Sequence, residues 1–241
     1  MQRIIQKLDE YLNKNDMAGA ERHLLFWLSE KKDTPAAITL YNELLGLYRK
    51  TGRHEEAKRA SEDALALIKQ HRWENTEVAA TTHLNTGTLL SAMGKAEDAL
   101  LHFETAASIY RALFSEEDTR LAGLYNNTAT ALVACCRYTE AYTLYEKAIA
   151  ILQKDNTGTL NIAVSLLNIA DAKEKELGAE AAEEEIDALL TRARRILEEY
   201  PVRDGYYAFV CEKCATVFGY YGHFLYEKEL KERADAIYAG T

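Results

Sequence analysis

The sequence predicts an all-α fold, a solenoid of stacked antiparallel helix pairs. Three observations predict it: a 42-residue repeat, a helix-forming composition, and turn residues placed where each hairpin must reverse. Ala57, Ala99 and Ala141 are spaced 42 and 42 apart, and Ala64, Ala106 and Ala148 repeat that spacing. Gly52 and Gly94 follow the same step, with Cys136 in the corresponding place. A period of this length marks a repeat architecture, because one hairpin cannot bury its apolar face alone and copies must stack. Only two prolines, Pro35 and Pro201, occur in 241 residues, while alanine, leucine and glutamate recur throughout.

Taken in order, "IIQKLDEYL" and "AGAERHLLFWL" form a weaker first hairpin around "NKNDM". Ala20, Leu24 and Trp27 there take the places of the small and aromatic residues. Three clear units follow: "YNELLGLYRKTGRHEEAKRASEDAL", "HLNTGTLLSAMGKAEDALLHFETAA" and "YNNTATALVACCRYTEAYTLYEKAI". In each, the first helix carries large apolar residues three and four apart, as in Tyr41, Leu44, Leu45 and Tyr48, and ends at "KTGR", "AMGK" or "CCRY". The second helix puts alanines seven residues apart on one face, so backbones approach closely while Phe103 and Tyr145 fill the remaining space.

Next, "NIAVSLLNIADAKEKELG" and "EEEIDALLTRARRIL" read as a further long pair. Its second helix departs from the alanine pattern, and its turn carries an insertion around Gly178. Pro201 closes that segment, and "YYAFVCEKCATVFGYY" with "FLYEKELKERADAIY" supplies the last pair. The expected count is five hairpins, three with good repeat signatures. They make a single domain over 1–241, with a divergent N-terminal hairpin and a C-terminal capping segment from about residue 200.

The pattern resembles the tetratricopeptide repeat family in its long form, like that of kinesin light chains. The resemblance rests on Tyr41, Tyr48, Gly52, Ala57 and Ala64; on Gly87, Gly94, Ala99, Phe103 and Ala106; and on Ala129, Tyr138, Ala141, Tyr145 and Ala148. It covers roughly residues 38 to 175 and weakens at both ends. Ser61 departs from it where the family has an aromatic, and Cys136 where it has glycine. The resemblance implies a right-handed α-solenoid whose first helices line a concave surface, and it identifies architecture rather than biology.

Apolar residues make 48% and charged residues 28% of the chain, as in a folded soluble protein. A net charge of -9 argues against nucleic acid or an anionic membrane as the main partner. The opening residues lack the pattern of a secretory leader, and no apolar run reaches the length of a spanning helix, so the expected setting is the cytoplasm. HExxH, GxSxG and phosphate-cradling glycine loops are missing, and six scattered histidines suggest no metal site. No catalytic residue, metal or cofactor is expected. "CEKC" at Cys211 and Cys214 reads as packing, since tetrahedral zinc needs two more ligands, and Cys135 and Cys136 read as turn residues. His83 reads as a hydrogen-bonded structural histidine on the apolar side of its helix.

The asparagines carry the functional expectation. Asn85, Asn127 and Asn168 fall 42 and 41 apart on successive first helices, Asn126 adjoins the middle one, and Asn42 matches Asn126. Asparagine is a poor residue for a helix interior, so its recurrence calls for another benefit. One amide per repeat can donate to and accept from an extended peptide backbone. In peptide-binding tetratricopeptide proteins the matching asparagines contact the ligand main chain, so the resemblance points to Asn85, Asn127 and Asn168. The competing reading is that these amides bind neighbouring helices and hold the stack together. Arg49, Thr88 and Thr130 complete the expected peptide-binding set, with Ser91 and Val133 nearby. Only Arg49 and Lys50 supply positive charge there, too little for a dedicated carboxylate clamp.

The expected function is a non-catalytic protein- or peptide-binding scaffold. Its partner is a protein or extended peptide, not nucleic acid or membrane. The alternatives are a self-associating homodimer using the aromatic C-terminal segment, and, further off, an unrecognised hydrolase.

Overall fold

The computed structural model describes residues 1–32, 34–155 and 158–240. These form twelve α-helices and no strand: α1 Gln2–Asn13, α2 Met17–Glu30, α3 Pro35–Lys50, α4 His54–His71, α5 Glu77–Ala92, α6 Ala96–Leu113, α7 Thr119–Ala134, α8 Tyr138–Leu152, α9 Thr159–Leu177, α10 Ala179–Glu199, α11 Gly205–Tyr220 and α12 Phe224–Ala239. Five hairpins imply ten helices; the segments delimited in the sequence mark all twelve, so five undercounts them. The chain divides into two compact units, Met1–Leu12 with Asp16–Cys135, and Asn13–Asn15 with Cys136–Thr241.

In the first unit α3 packs on α4 and α5, α5 on α6 and α7, and α6 on α7, the layering of an α-solenoid. The alanine positions explain the close approach. Ala57, Ala64, Ala99 and Ala106 are all fully buried. Large and small residues also trade places between repeats. Gly87 of α5 lies against the ring of Phe103, whereas the equivalent positions one repeat earlier hold Leu45 with Ser61, both buried. The missing aromatic at Ser61 is thus matched by a larger residue on the first helix. Its hydroxyl shares a 2.6 Å hydrogen bond with Thr86, so the polar group is not stranded.

The turns follow one rule for most of the chain. Gly52 and Gly94 adopt φ of 74° and 75°, and Cys136 stands at 58°. After the two glycines the next backbone N–H reaches back five residues, Arg53 to Tyr48 O at 2.8 Å and Lys95 to Leu90 O at 2.9 Å. This bond satisfies a carbonyl that the helix end would leave open.

In the second unit α8 packs on α9, α9 on α10 and α11, and α11 on α12. The expected insertion around Gly178 is not there. The N-cap positions Arg53, Lys95, Arg137 and Gly178 are separated by 42, 42 and 41 residues, so this repeat is one residue shorter. α9 runs on to Leu177, and Gly178 alone reverses the chain at φ 86°, ψ 156°. The shorter step fits the burial pattern: Ala79, Leu121 and Ile162 are buried in register, as are Ala80, Ala122 and Ala163, and Leu89, Ala131 and Ala172. Nor does α10 abandon the alanine pattern altogether, because Ala182 is fully buried 41 residues after Ala141. At the C-terminal end Tyr207, Phe218 and Tyr226 are core, with Phe218 and Tyr226 edge to face at 4.8 Å, while Tyr220, Phe224 and Leu225 stay exposed.

Candidate functional site

The burial register places Asn85, Asn127 and Asn168 at equivalent positions of α5, α7 and α9. Asn85 and Asn127 belong to the first unit, where α3, α5 and α7 are successive neighbours; Asn168 is half-buried on α9 of the second unit.

Asn42 departs from the expected ligand-facing role. It is only 6% exposed, its Nδ2 donates to Thr82 Oγ1 at 2.8 Å, and its Oδ1 accepts from Asn85 Nδ2 at 3.2 Å. Both ends of the amide are used between helices, which makes Asn42 a prop for Asn85. Thr82 passes its own hydroxyl proton back to Val78 O, closing the chain of bonds inside α5. Asn127 bridges in a similar way, its Nδ2 donating to Thr88 Oγ1 at 3.3 Å while Thr88 donates to Leu84 O.

The structural use expected of the asparagines is therefore present at Asn85 and Asn127. Asn85 and Asn127 each use one N–H on the first helix of the preceding repeat, α3 and α5 respectively, through bonds at the long end of the normal range. Their Oδ1 atoms accept no hydrogen bond among the described residues. Each half-buried amide thus retains an acceptor and a second N–H. Asn126 is also half-buried, and its backbone carbonyl accepts from Thr130, which is exposed. Gly46 and Gly123 lie inside α3 and α7, and a Cβ added at either meets open space. Ser91 Oγ is buried without a hydrogen-bond partner among the described residues.

Two charged groups complete the α3 part of this face. Arg49, 42 residues before Ser91, has its proton affinity lowered by desolvation. Glu43, 42 residues before Asn85, holds the ladder position itself; burial raises its carboxyl pKa, and the charge of Asp9 on α1 raises it further. Sequence reasoning missed Glu43, although the same step that aligns Asn85 with Asn127 leads to it.

Elsewhere the chemistry is structural. His83 Nδ1 and His102 Nδ1 lie 3.0 Å apart between α5 and α6, so His83 is hydrogen-bonded, to a partner the sequence did not suggest. Burial and the neighbouring imidazole push His83 down to about 4. Cys211 and Cys214 are buried, and desolvation pushes both thiols up to about 12. Among the described residues no group of three or more His, Cys, Asp or Glu side chains could hold a metal ion, and no helix is long and apolar enough to cross a membrane.

Fold and site together define a helical-repeat protein with a polar, amide-bearing face on its first helices. Comparison with known proteins gives the kind of repeat. Residues 35–112 match the tetratricopeptide repeat family model. Protein KINESIN LIGHT CHAIN-RELATED 3 of Arabidopsis thaliana is 27% identical over 169 residues, covering 68% of this chain, which spans only 25% of that relative's length. Among solved structures, BtubC (BKLC) from P. vanneervenii superposes with a TM-score of 0.67 at 22% identity, over 83% of this chain and 82% of that one. A Podosopora anserina kinesin light chain structure with nearly identical TPR-like repeats gives 0.56 at 19% identity, over 86% and 97%. At those identities the structures share the fold. Residues 35–112 are thus similar to tetratricopeptide repeats, and the chain is similar in sequence to a kinesin light chain-related protein.

Proposed function

We propose that this chain is a non-catalytic scaffold that holds an extended peptide segment of a partner protein on the α3–α5–α7 face. The observation that carries the reading is the pair of half-used amides: Asn85 and Asn127 are steadied by Asn42 and Thr88, yet their Oδ1 atoms remain open. A peptide backbone N–H would be accepted by each Oδ1, and its carbonyl would take the remaining Nδ2 proton. Thr88, Thr130 and Arg49 flank the path, and Gly46 and Gly123 leave room for the ligand chain. Asn126 stands beside Asn127, and Asn168 would offer the equivalent amide on the second unit. Four cysteines outside any disulfide suit a reducing cytoplasm.

The test is selection of linear peptides from a displayed random library on the full chain, followed by affinity measurement. Asn85→Ala with Asn127→Ala removes about two hydrogen-bonded contacts, each worth about 1 kcal/mol net, so affinity should fall roughly tenfold or more while helicity is retained. Equal affinity in the double variant would defeat the reading.

A second reading, self-association, is favoured by the exposure of Tyr220, Phe224 and Leu225 at 71%, 69% and 88% around the α11–α12 turn. Light scattering across a concentration series would show a dimer that Phe224→Ser with Leu225→Ser dissolves; a concentration-independent monomer mass would remove this reading.

A further inference from the structure

Glu43 stands out among the groups of the first unit that packing does not explain. It occupies on α3 the position that asparagine occupies on α5 and α7, at steps of 42 residues. Unlike those asparagines, it makes no hydrogen bond and no ion pair among the described residues, although it is half-buried. A carboxylate taken partly out of water without a cation is a cost to the free protein, and such uncompensated groups gather where ligands bind. Asp9 adds a second negative charge within electrostatic reach, so the neighbourhood favours a cation more strongly than Glu43 alone.

Among the described residues no side chain supplies the counter-charge. Arg49 lies six residues further along α3, on the other side of Gly46, and forms no ion pair with Glu43. Its own shift has desolvation as its cause, with no carboxylate contributing. Gly46 leaves open space between the two, and the open acceptors of Asn85 and Asn127 continue from Glu43 across the next two helices. The net charge of -9 draws cationic segments toward the surface as a whole.

We propose that Glu43 selects the ligand: it pairs with a lysine or arginine side chain of an extended peptide whose backbone lies on Asn85 and Asn127. The inference rests on the peptide-binding reading above and adds the chemical class of the segment. Binding supplies the missing cation, and Asp9 strengthens the field without making the direct contact. Arg49, beyond the Gly46 window, faces a peptide carbonyl or acidic group.

The experiment is a double-mutant cycle on peptides selected by the full chain. Lysine or arginine should be enriched at one position of the selected sequences. Replacing that residue with glutamine should weaken binding to the wild-type chain about tenfold, between the worth of exposed and buried ion pairs. The same replacement should have little effect on Glu43→Gln, and Glu43→Gln should melt no lower than wild type because it loses an uncompensated charge. Peptides that depend on Asn85 and Asn127 but show no basic preference overturn the role of Glu43 and leave the groove standing. A basic preference that persists unchanged in Glu43→Gln also overturns it. If no peptide is retained, or binding ignores Asn85 and Asn127, the groove and the inference fall together.

Discussion

Alanine substitutions at Gly46 and Gly87 should move stability in opposite directions, although both glycines sit inside first helices. A Cβ at Gly87 would lie 2.6, 2.8 and 3.0 Å from three ring carbons of Phe103. The optimum carbon–carbon separation is about 3.5–4.0 Å, so the ring would have to retreat by roughly an ångström. Phe103 is 1% exposed, so its ring can retreat only by displacing other protein atoms. Overpacking of this severity costs about 3 kcal/mol, and alanine's better helix propensity returns about 1, leaving a net loss of about 2 kcal/mol. At Gly46 the new methyl meets nothing within 4 Å, so only the propensity gain of about 0.5–1 kcal/mol remains. Urea unfolding followed by far-ultraviolet circular dichroism measures both. A Gly87→Ala variant as stable as wild type, or a Gly46→Ala variant that loses stability, would refute the packing assigned to these helices.

The His83–His102 contact makes stability depend on pH. His83 is lowered from 6.5 to about 4, so burying it neutral stabilises the fold fully above about pH 6.5, and that contribution is lost as pH falls toward 4. After discounting for its partial exposure the effect is about 1–2 kcal/mol; His83→Gln should flatten the decline in urea midpoint between pH 6.5 and 5, and an unchanged slope would contradict it. Exposed Cys136 should react with a thiol reagent under native conditions while buried Cys211 and Cys214, held near 12, do not; mass spectrometry of the alkylated protein reports the sites. Rapid labelling of Cys211 would count against its placement in the core. Cys136→Gly should raise stability by about 0.5–1 kcal/mol, because a positive φ of 58° suits glycine better than a residue with a Cβ; a loss of stability would show that the side chain contributes more than the strain.

The repeat was legible wherever geometry tolerates few residue types. Ala57, Ala99 and Ala141 must be small at a close helix crossing, and Gly52 and Gly94 must accept positive φ, so their spacing exposed the frame directly. The fourth long repeat was harder because its turn changes type: α9 continues to Leu177 and one glycine replaces the longer reversal, which imitates an insertion in the sequence. Shortening the step by one residue also hid Ala182 as the successor of Ala141. Asn42 misled for a different reason. An amide in a helix suggests an exposed role, but its partner Thr82 lies 40 residues away on α5, and only the folded chain brings the two together. Glu43 went unnoticed because a glutamate in a helix is ordinarily solvated, and its significance comes from sharing a position with Asn85 and Asn127 rather than from its residue type.

The most direct test of the peptide-binding account is the side-chain amide spectrum of the isotopically labelled chain, recorded while a selected peptide is added. If the peptide backbone lies on the α3–α5–α7 face, the Nδ2 resonances of Asn85 and Asn127 shift together and saturate with the binding curve, while buried Asn42 moves less. Saturable binding that leaves both resonances in place, with the shifts gathered around Tyr220, Phe224 and Leu225 instead, would contradict the account.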